Sequence, residues 1–297
     1  MSGNAKLDLL LKIANEYSEE AMDRAVSLYR DPEVFYHFSP MRKNLVSWYD
    51  DWKDKKILEI GSECGALTSY FSRQAFNVTC LELLSDYQQV NQLRNRRREN
   101  ITYITGTAAE LPKERYDRIF IGAAFAKAAT YLSRTREDMP TGGSATADAQ
   151  IALLQLLFEH LNEDGKLILA VENRMGFKYF AGAMEEYSGQ YFGGIEGMEG
   201  VNGERTFTPA EMQDIFGTFP EYTIRTYYPY PDYRFPMTIY SPDFLPNKGE
   251  LNLNGNDIAR KRLHLFDETK ALDLIVEHGL FPYFSNSYLY IMEMGQK

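Results

Sequence analysis

Cysteine is scarce in this 297-residue chain, which contains Cys64 and Cys80 and no other cysteine. Two thiols are too few for a disulfide framework or a cysteine-rich metal site. Both lie where the apolar pattern predicts core elements, so we expect reduced, buried thiols. The four histidines also lack the close spacing of a metal-binding pair. The sequence therefore predicts no metal site.

Long apolar runs are absent too, because no stretch approaches the roughly 20 apolar residues that a membrane-spanning helix needs. The N-terminal sequence has neither the basic segment nor the apolar run and cleavage site of a secretory signal. We therefore expect a cytoplasmic protein without a membrane span.

Positive charge is in short supply as well. The chain has 32 lysines and arginines against 42 aspartates and glutamates, a formal net charge of −10. Binding of nucleic acid normally needs a basic face that neutralises phosphates, so a nucleic-acid partner is not expected. One short basic cluster, Arg94 with Arg96, Arg97 and Arg98, lies near the end of a predicted helix, where cations complement the helix dipole. Contact with a phosphate is the alternative for this cluster.

The apolar residues that are present follow an α/β pattern. Residues 5 to 29 repeat apolar positions at helical spacing, which predicts an N-terminal helical cap over residues 1–50. From Lys55 onward, apolar strands alternate with amphipathic helices, as is typical of parallel βαβ units. The predicted strands cover residues 56–60, 77–81, 101–104, 118–122, 166–171, 222–230 and 285–294.

These strands predict a doubly wound, seven-stranded, mostly parallel sheet in a domain of residues 51–297. Insertions are expected after strands 4, 5 and 6. The first is a polar stretch at 134–146 that contains Gly142 and Gly143 and is typical of a mobile loop. The other two are expected at about 173–217, on the acceptor side, and at about 232–284.

The strongest motif is KKILEIGSECGALTSYFS at residues 55–72, an apolar strand, a turn with Gly61 and Gly65, and then a helix. Glycine suits such a turn because the backbone bends sharply and approaches a ligand closely. Glu82 ends the next strand, 21 residues after Gly61. At that spacing a carboxylate can accept hydrogen bonds from the hydroxyls of an adenosine ribose. The motif therefore predicts a nucleotide-type ligand.

Glu63, between the two glycines, distinguishes two such ligands. The dinucleotide fingerprint Gly-x-Gly-x-x-Gly has a glycine at this position, and a carboxylate there would repel a pyrophosphate. S-adenosylmethionine has no phosphate and carries a sulfonium and an ammonium, with which Glu63 can pair. We therefore expect S-adenosylmethionine rather than NAD.

At this point the sequence resembles the class I S-adenosylmethionine-dependent methyltransferases, whose first motif reads Glu-x-Gly-x-Gly-x-Gly. Glu59, Gly61 and Gly65 match this motif, and Glu63 departs from it at the middle glycine. The resemblance continues through Glu82, YDRIFIG at 116–122 and LLQLLFEHLNEDGKLILAVENR at 153–174. More narrowly, YHFSPMRKNLV, ENRMGFKYFAGAMEEYSG, RTFTP and YYPYPDYRFPMTIYSPDFLP resemble a bacterial methyltransferase group associated with cell-surface polysaccharide gene clusters.

The resemblance implies transfer of a methyl group from S-adenosylmethionine to a small-molecule or glycan-like acceptor, with S-adenosylhomocysteine as the product. The implied cofactor-binding residues lie at or after the ends of the first four strands: Glu59, Gly61, Ser62, Glu63, Gly65, Glu82, Leu83, Gly106, Thr107, Ala108, Gly122 and Ala123. Two features depart from the family. Residues 122–127 show no obvious base, and the third strand ends without the acid often used on the adenine amine, leaving Thr107 for a weaker contact.

Candidate catalytic residues lie in two places. His37, in YHFSPMR, is the preferred general base, and a capping or packing role is the alternative. Glu172, Asn173 and Arg174 leave the fifth strand at the edge where open α/β sheets bind ligands, and a structural role stays equally open for them. Candidate acceptor-binding residues are Lys178, Tyr179, Tyr230, Asp232 and Tyr233, although the tyrosines at 227–233 also fit a strand core.

A second hypothesis is a non-catalytic, methyltransferase-like binding or scaffolding subunit. It rests on Glu63, on the apolar exit of the fourth strand and on the missing adenine acid. The acceptor is not identified by the sequence, and a homo-oligomer and a partner subunit both stay open.

Overall fold

A computed structural model describes residues 3–122, 124–135, 147–200, 203–254 and 262–295. The chain forms two compact units. The first comprises Met1–Ile121 and Leu157–Leu167, and the second comprises Gly122–Leu156 and Ile168–Lys297.

The structure contains eight strands and twelve α-helices in its described residues. The strands are β1 (Lys56–Ile60), β2 (Asn77–Glu82), β3 (Ile101–Thr105), β4 (Tyr116–Ile121), β5 (Leu161–Glu172), β6 (Tyr222–Tyr230), β7 (Thr238–Tyr240) and β8 (Ser287–Met294). The helices are α1 (Gly3–Glu16), α2 (Met22–Tyr29), α3 (Pro32–Phe38), α4 (Asn44–Ser47), α5 (Ala66–Gln74), α6 (Ser85–Arg94), α7 (Phe125–Thr135), α8 (Ala147–Glu159), α9 (Phe177–Phe180), α10 (Pro209–Gly217), α11 (Glu268–Glu277) and α12 (Phe281–Phe284).

The strand order of the sheet is β3-β2-β1-β4-β5-β8-β6-β7. In the first unit β1 pairs in parallel with both β2 and β4, and β2 pairs in parallel with β3. The order reverses between β1 and β4, and in open α/β sheets ligands bind beyond the carboxyl ends of the strands at such a reversal. The α/β class and the parallel-dominated sheet are confirmed.

The predicted number of seven strands is wrong, because the sheet has eight. The additional strand is β7, which pairs antiparallel with β6 in the second unit. It lies inside the expected insertion at 232–284. Three residues are too few to show an apolar alternation, so the sequence pattern contains no signal for this strand.

The seven predicted strands all exist, and five of them have shifted ends. The ends of β1 and β6 are as predicted, whereas β5 begins at Leu161, five residues before its predicted start at 166. The first residues of β5 read LNEDG, a sequence typical of a turn, so the apolar pattern does not indicate the early start. Of the mobile loop predicted at 134–146, residues 136–146 lie outside the described residues.

The N-terminal helices of the first unit share a core with α6. Leu10, Ile13, Met22, Val34 and Phe38 are buried there together with Val90 and Cys64. Helix α3 begins after Asp31, whose carboxylate accepts hydrogen bonds from the amides of Glu33 and Val34. The prediction of buried, unpaired thiols is confirmed for both cysteines.

The basic cluster at the end of α6 ties the N-terminal helices down. Arg94 is buried and donates to Glu19 at 2.6 Å and to the His37 carbonyl at 2.9 Å. Arg96 donates to the Ala14 carbonyl at 2.7 Å. At least two of the four arginines therefore have a packing role, which the sequence pattern did not reveal.

The second unit is built around the antiparallel pair of β6 and β8, with Tyr222 opposite Met294 and Tyr227 opposite Leu289. Aromatic side chains fill the surrounding core, and Tyr228 packs edge-on against both Phe281 and Tyr288. Among the described residues, no helix is both long enough and apolar enough to cross a bilayer.

Candidate functional site

The turn after β1 has the backbone conformation that its glycines predict. Gly61 and Gly65 have φ angles of 71° and 79°, in the left-handed region that favours glycine. A Cβ on Gly65 would also overlap with the Asn91 side chain. Both the backbone angle and the lack of space therefore favour glycine at this position. Helix α5 begins directly after Gly65. The turn thus places a run of backbone amides at the carboxyl end of β1.

Glu63 adopts the same left-handed region, with φ of 46°, although it is not a glycine. Such a conformation costs roughly 1–3 kcal/mol and persists where the surroundings impose it. Tyr36 donates its hydroxyl to the Glu63 carboxylate at 3.2 Å, and Arg42 donates to the other oxygen at 3.2 Å. The Glu63 amide donates to Glu82 at 2.8 Å. Both the backbone and the side chain of Glu63 are therefore held in place.

Glu82 lies buried at the end of β2 and faces the turn. Its Oε2 accepts the Glu63 amide, and its Oε1 accepts the Leu84 amide at 3.1 Å. Leu83, the residue between Glu82 and Leu84, is half-buried.

Ser62 adds a hydroxyl to the same turn. The residue is only 4% exposed, and its Oγ has no hydrogen-bond partner among the described residues. A buried hydroxyl without a partner is costly, and ligand binding is one way of satisfying it. The turn therefore contains a donor and acceptor suited to a bound molecule.

Hydrogen bonds within the protein hold the segment that follows β3, which comprises Gly106, Thr107 and Ala108. The Gly106 amide donates to the Glu82 carbonyl at 2.9 Å. Thr107 forms a reciprocal capping box with Glu110, and its hydroxyl donates to that carboxylate at 2.6 Å. Ala108 is buried. The Thr107 side chain thus has a local role in shaping this exit.

Glu59 lies inside the first unit rather than on the turn. Thr68 donates to its Oε2 at 2.5 Å, Cys80 Sγ is 3.6 Å away, and Asn91 donates to the Thr68 hydroxyl at 3.0 Å. Burial raises the pKa of Glu59 to about 8, so the carboxyl group holds a proton at neutral pH. Glu59 therefore joins β1 to α5 as a neutral, hydrogen-bonded acid.

His37 is buried at the end of α3, with its ring 4.8 Å from Tyr36 and 5.2 Å from Tyr87. Its Nε2 is 3.8 Å from Glu33, and its Nδ1 has no hydrogen-bond partner in the described part of the chain. Burial lowers the pKa of His37, so the imidazole is neutral at pH 7. A neutral imidazole can accept a proton, as a general base must.

The second unit contains a pocket, open to solvent, at the carboxyl end of β5. Carboxylates, one guanidinium and four aromatic rings line it. The lining residues are Gly122, Phe125, Ala126, Ala170, Val171, Glu172, Glu186, Tyr187, Arg205, Thr206, Phe207 and Tyr233. Gly122 is the residue directly after β4, and the predicted cofactor residue Ala123 lies outside the described residues.

Glu172, in the lining of this pocket, is bound by two cations and a tyrosine. Arg234 contacts its carboxylate, Lys178 Nζ lies 3.2 Å from Oε1, and Tyr179 donates to Oε2. Burial alone would raise the pKa of Glu172, but the charges of Arg234 and Lys178 outweigh it and hold the pKa at about 2. Glu172 is therefore a poor general base at neutral pH.

Arg234 and Glu186 belong to the same cluster and were missed by sequence analysis. Arg234 contacts the Glu186 carboxylate and lies 3.4 Å from Asp232, and Asp232 lies 3.6 Å from Lys178. The predicted residues Lys178, Tyr179 and Asp232 are thus brought together around Glu172. No spacing rule signals Arg234, because the cluster joins residues 172–186 to residues 232–234 through the fold.

Asn173 and Arg174 have mainly structural contacts. Asn173 is buried, donates to the carbonyls of Tyr283 and Ser285 and to the Tyr288 hydroxyl, and accepts the Met175 amide. The Arg174 amide donates to the Phe207 carbonyl at 2.9 Å. Burial lowers the pKa of Arg174, as does the charge of the neighbouring Arg205.

The other two candidate acceptor tyrosines, Tyr230 and Tyr233, differ in position. Tyr233 lines the pocket. Tyr230 lies in β6, and its hydroxyl accepts hydrogen bonds from the Leu253 amide at 2.7 Å and from Asn254 at 2.9 Å. Within the described ranges, no three His, Cys, Asp or Glu side chains converge as metal ligands would.

Comparison with known proteins gives distant likenesses. No family model matches the chain, and no curated protein does. The match to the DhpI–SAH complex covers 100% of both chains, at 8% identity and a TM-score of 0.45. The match to the plantazolicin methyltransferase BpumL in complex with SAH covers 99% of this chain and 98% of that chain, at 13% identity and a TM-score of 0.45. Phosphoethanolamine N-methyltransferase 1 of Haemonchus contortus, in complex with phosphoethanolamine and S-adenosylhomocysteine, matches 58% of this chain at 19% identity and a TM-score of 0.38. The match spans 34% of that protein's length, and none of these likenesses identifies an activity for this chain.

Proposed function

We propose that this chain is an S-adenosylmethionine-dependent methyltransferase acting on a small-molecule or glycan-like acceptor. The observation that carries the proposal is the left-handed turn at Gly61 and Gly65, with the buried Glu82 carboxylate facing it at the reversal of strand order. Such a turn lets a ligand approach the backbone, and such a carboxylate accepts hydrogen bonds from ribose hydroxyls.

The residues of the first unit fit this cofactor. The Ser62 hydroxyl, buried and without a partner in the described structure, can hydrogen-bond to a ligand in the turn. The Glu63 carboxylate disfavours a pyrophosphate and suits a ligand that carries an ammonium. Bound S-adenosylmethionine would supply an electrophilic methyl group on its sulfonium. In this proposal Glu82 holds the ribose, and Gly106 to Ala108 flank the adenine.

The acceptor is assigned to the pocket of the second unit. Its aromatic residues, including Phe125, Phe207 and Tyr233, offer faces on which a flat molecule or a sugar ring packs. Its carboxylates, Glu172 and Glu186, accept hydrogen bonds from hydroxyl or amino groups. The association with polysaccharide gene clusters rests on sequence resemblance and fits a sugar acceptor.

The chemical step needs mainly alignment of the acceptor with the methyl group, because methyl transfer is an in-line displacement. Glu172 is ionised and paired at neutral pH, so it orients rather than deprotonates. His37, neutral and with Nδ1 unpartnered among the described residues, is the better candidate for a proton acceptor.

Calorimetric titration with S-adenosylhomocysteine tests the proposal. We expect wild-type protein to bind with a dissociation constant in the micromolar range, about −8 kcal/mol. Glu82→Gln should weaken binding by about 10- to 100-fold, the scale of losing charge-assisted hydrogen bonds. Glu114→Gln is the matched control, because Glu114 is an exposed acid of the same unit. Absence of binding at millimolar concentration would contradict the proposal.

Two observations favour a second function, a non-catalytic binding subunit with the same ligand. Glu63 occupies a strained position where the family has glycine, and Glu172 is too acidic to serve as a base. Such a subunit would bind S-adenosylhomocysteine and methylate nothing. Glu63→Gly distinguishes the two: a gain in affinity indicates a degenerate site, and a loss indicates that Glu63 is a working ligand.

A further inference from the structure

The pocket of the second unit combines aromatic rings with carboxylates. Four rings and two carboxylates belong to its lining: Phe125, Tyr187, Phe207, Tyr233, Glu172 and Glu186. An aromatic ring has a negative face, which attracts a cation. A carboxylate attracts the same kind of ligand by its charge. Both parts of the lining therefore favour a positively charged group over a neutral or negative one.

Arg205 also lines this pocket, but its charge is balanced by a carboxylate that lies outside the lining. Its Nη1 donates to Glu211 Oε1 at 2.6 Å. Its guanidinium lies 4.5 Å from the centroid of the Phe207 ring, so a cation already packs on one ring of the lining. Arg205 therefore does not make the pocket a site for anions.

On the other side of the pocket, carboxylates outnumber cations in the ion pairs of Arg234. Arg234 contacts the carboxylates of Glu172, Glu186 and Asp232, and Lys178 lies 3.2 Å from Glu172 and 3.6 Å from Asp232. We call these five residues the Arg234 cluster. It joins three carboxylates to two cations, so it carries one negative charge in excess.

The surroundings of Arg205 have the same imbalance. Arg174 lies 4.0 Å from Glu211 and interacts electrostatically with Arg205, Glu185 and Glu199. Two guanidinium groups are thus set against three carboxylates, and Glu185 is fully buried. An excess of buried charge is costly unless a charge of the opposite sign compensates it. A cationic ligand in the pocket supplies that compensation.

The hydroxyl of Tyr187 experiences this negative surplus directly. Burial raises the pKa of Tyr187 well above its ordinary value, and the charges of Glu186, Glu172 and Glu185 raise it further, against a smaller opposing effect of Arg234. A ring of the lining therefore lies in a region of negative potential.

We infer that the acceptor is an organic cation, a primary or secondary amine whose nitrogen receives the methyl group. The inference rests on the proposed function and names the acceptor class for the same pocket. The ammonium form binds to the carboxylates and rings, and it loses a proton to solvent before it reacts. The nitrogen lone pair then forms the new carbon–nitrogen bond as the carbon–sulfur bond of the methyl donor breaks. The positive charge passes from sulfur to nitrogen, inside the negative pocket.

An amine also demands less of the pocket than a hydroxyl does. A hydroxyl gives its proton to a base as it reacts. Glu172 is a weak base, because Arg234 and Lys178 pair with its carboxylate. An unprotonated amine has its lone pair available and needs no base at that moment. The excess of carboxylates stabilises the positive charge that develops on its nitrogen.

Matched probes test the charge that the pocket prefers. Glucosamine, glucose and glucuronate carry a positive, no and a negative charge on the same kind of sugar ring. Benzylamine and benzyl alcohol form a second pair on a flat ring. Each is titrated into the full chain by ligand-observed NMR at slightly acidic pH, where both amines are protonated, with and without saturating S-adenosylhomocysteine.

At least one amine should bind about tenfold more tightly than its neutral partner, and glucuronate should bind most weakly. Glu186→Gln should reduce this preference to about threefold or less, because it removes the excess charge of the Arg234 cluster and keeps the shape of the side chain. Glu221→Gln is the matched control, since Glu221 is an exposed acid of the same unit, and it should keep the full preference.

Separate measurements distinguish failure of the inference from failure of the proposed function. Absence of S-adenosylhomocysteine binding by wild type contradicts the proposed function, whereas the probes titrated alone still report the charge preference of the pocket. Neutral probes that bind as tightly as the amines, or glucuronate that binds more tightly, overturn the amine acceptor. Absence of binding by both amines up to about 50 mM overturns it as well.

The variant has an outcome of its own. If Glu186→Gln weakens an amine and its neutral partner equally, Glu186 acts on the shape of the pocket, and its assignment to the ammonium group is wrong. S-adenosylhomocysteine binding at wild-type affinity shows that the variant is folded.

Discussion

At the scale of single residues, Glu59 shows how burial changes an acid. Thr68 and Cys80 surround it in the core of the first unit, and burial raises its pKa to about 8. In the unfolded chain a glutamate ionises near its ordinary value, about 4.3. The folded state therefore binds one proton more than the unfolded state between these two values.

The sign of the resulting pH dependence follows from linkage. Stability falls with rising pH wherever the folded state binds more protons, so the contribution of Glu59 is complete below about pH 4 and is lost as the pH rises toward 8. The loss is on the order of 5 kcal/mol at most. Urea denaturation between pH 5 and 9 should show a falling free energy of unfolding for wild type.

Glu59→Gln should remove this slope, because an amide cannot ionise. Glu114→Gln, in an exposed acid of the same unit, should keep it. A wild-type stability that stays constant from pH 5 to 9, with Glu59→Gln parallel to it, would show that Glu59 does not titrate in this range.

Residues that the local backbone restricts are the easiest to predict from sequence. Gly61 and Gly65 were predicted from spacing because a tight turn excludes other residues for backbone reasons, which are local. The partners of Glu63 were not predicted, because Tyr36 and Arg42 are distant in sequence and meet it only after α3 has packed.

At the scale of elements, Arg234 joins the end of β5 to the chain that follows β6. It contacts the carboxylates of Glu172 and Glu186, and all three side chains lie in the second unit. Removing one partner of a buried ion pair leaves the other charge uncompensated. Substitutions in this cluster therefore test how much the buried ion pairs contribute to the stability of the second unit.

Arg234→Met should lower the free energy of unfolding by about 3–5 kcal/mol. The double variant Arg234→Met with Glu172→Leu should lose less stability than the sum of the two single variants, since both single variants remove the same Arg234–Glu172 contact. Chemical denaturation of the two single variants and the double variant measures the coupling.

Arg225→Met is the matched control for this cycle, because Arg225 pairs with Glu293 on an exposed part of β6. It should cost no more than about 1 kcal/mol. Equal costs for Arg225→Met and Arg234→Met would show that burial does not strengthen the Arg234 cluster.

At the scale of the whole molecule, ligand binding should raise thermal stability. A ligand that binds the folded chain alone stabilises it by RT ln(1 + [L]/Kd), about 4 kcal/mol at a thousandfold excess over Kd. With a micromolar Kd, 1 mM S-adenosylhomocysteine should raise the melting temperature by several degrees. Differential scanning fluorimetry measures this shift.

NAD at the same concentration should leave the melting temperature unchanged. The Glu63 carboxylate lies in the turn where a pyrophosphate would sit, and the net charge of −10 disfavours a ligand that carries phosphates. A larger shift with NAD than with S-adenosylhomocysteine would contradict the choice of cofactor.

The α/β class, seven of the strands and the left-handed turn follow from the sequence alone, because apolar periodicity and glycine conformation depend on neighbouring residues. The pairing of β7, the early start of β5 and the Arg234 cluster were decided only by the tertiary structure. Each depends on residues far apart in the chain, and burial then sets their charge, as it does for Glu59 and Glu172. A one-dimensional pattern contains backbone preferences, whereas the charge states and partners of side chains exist only once the core has formed around them.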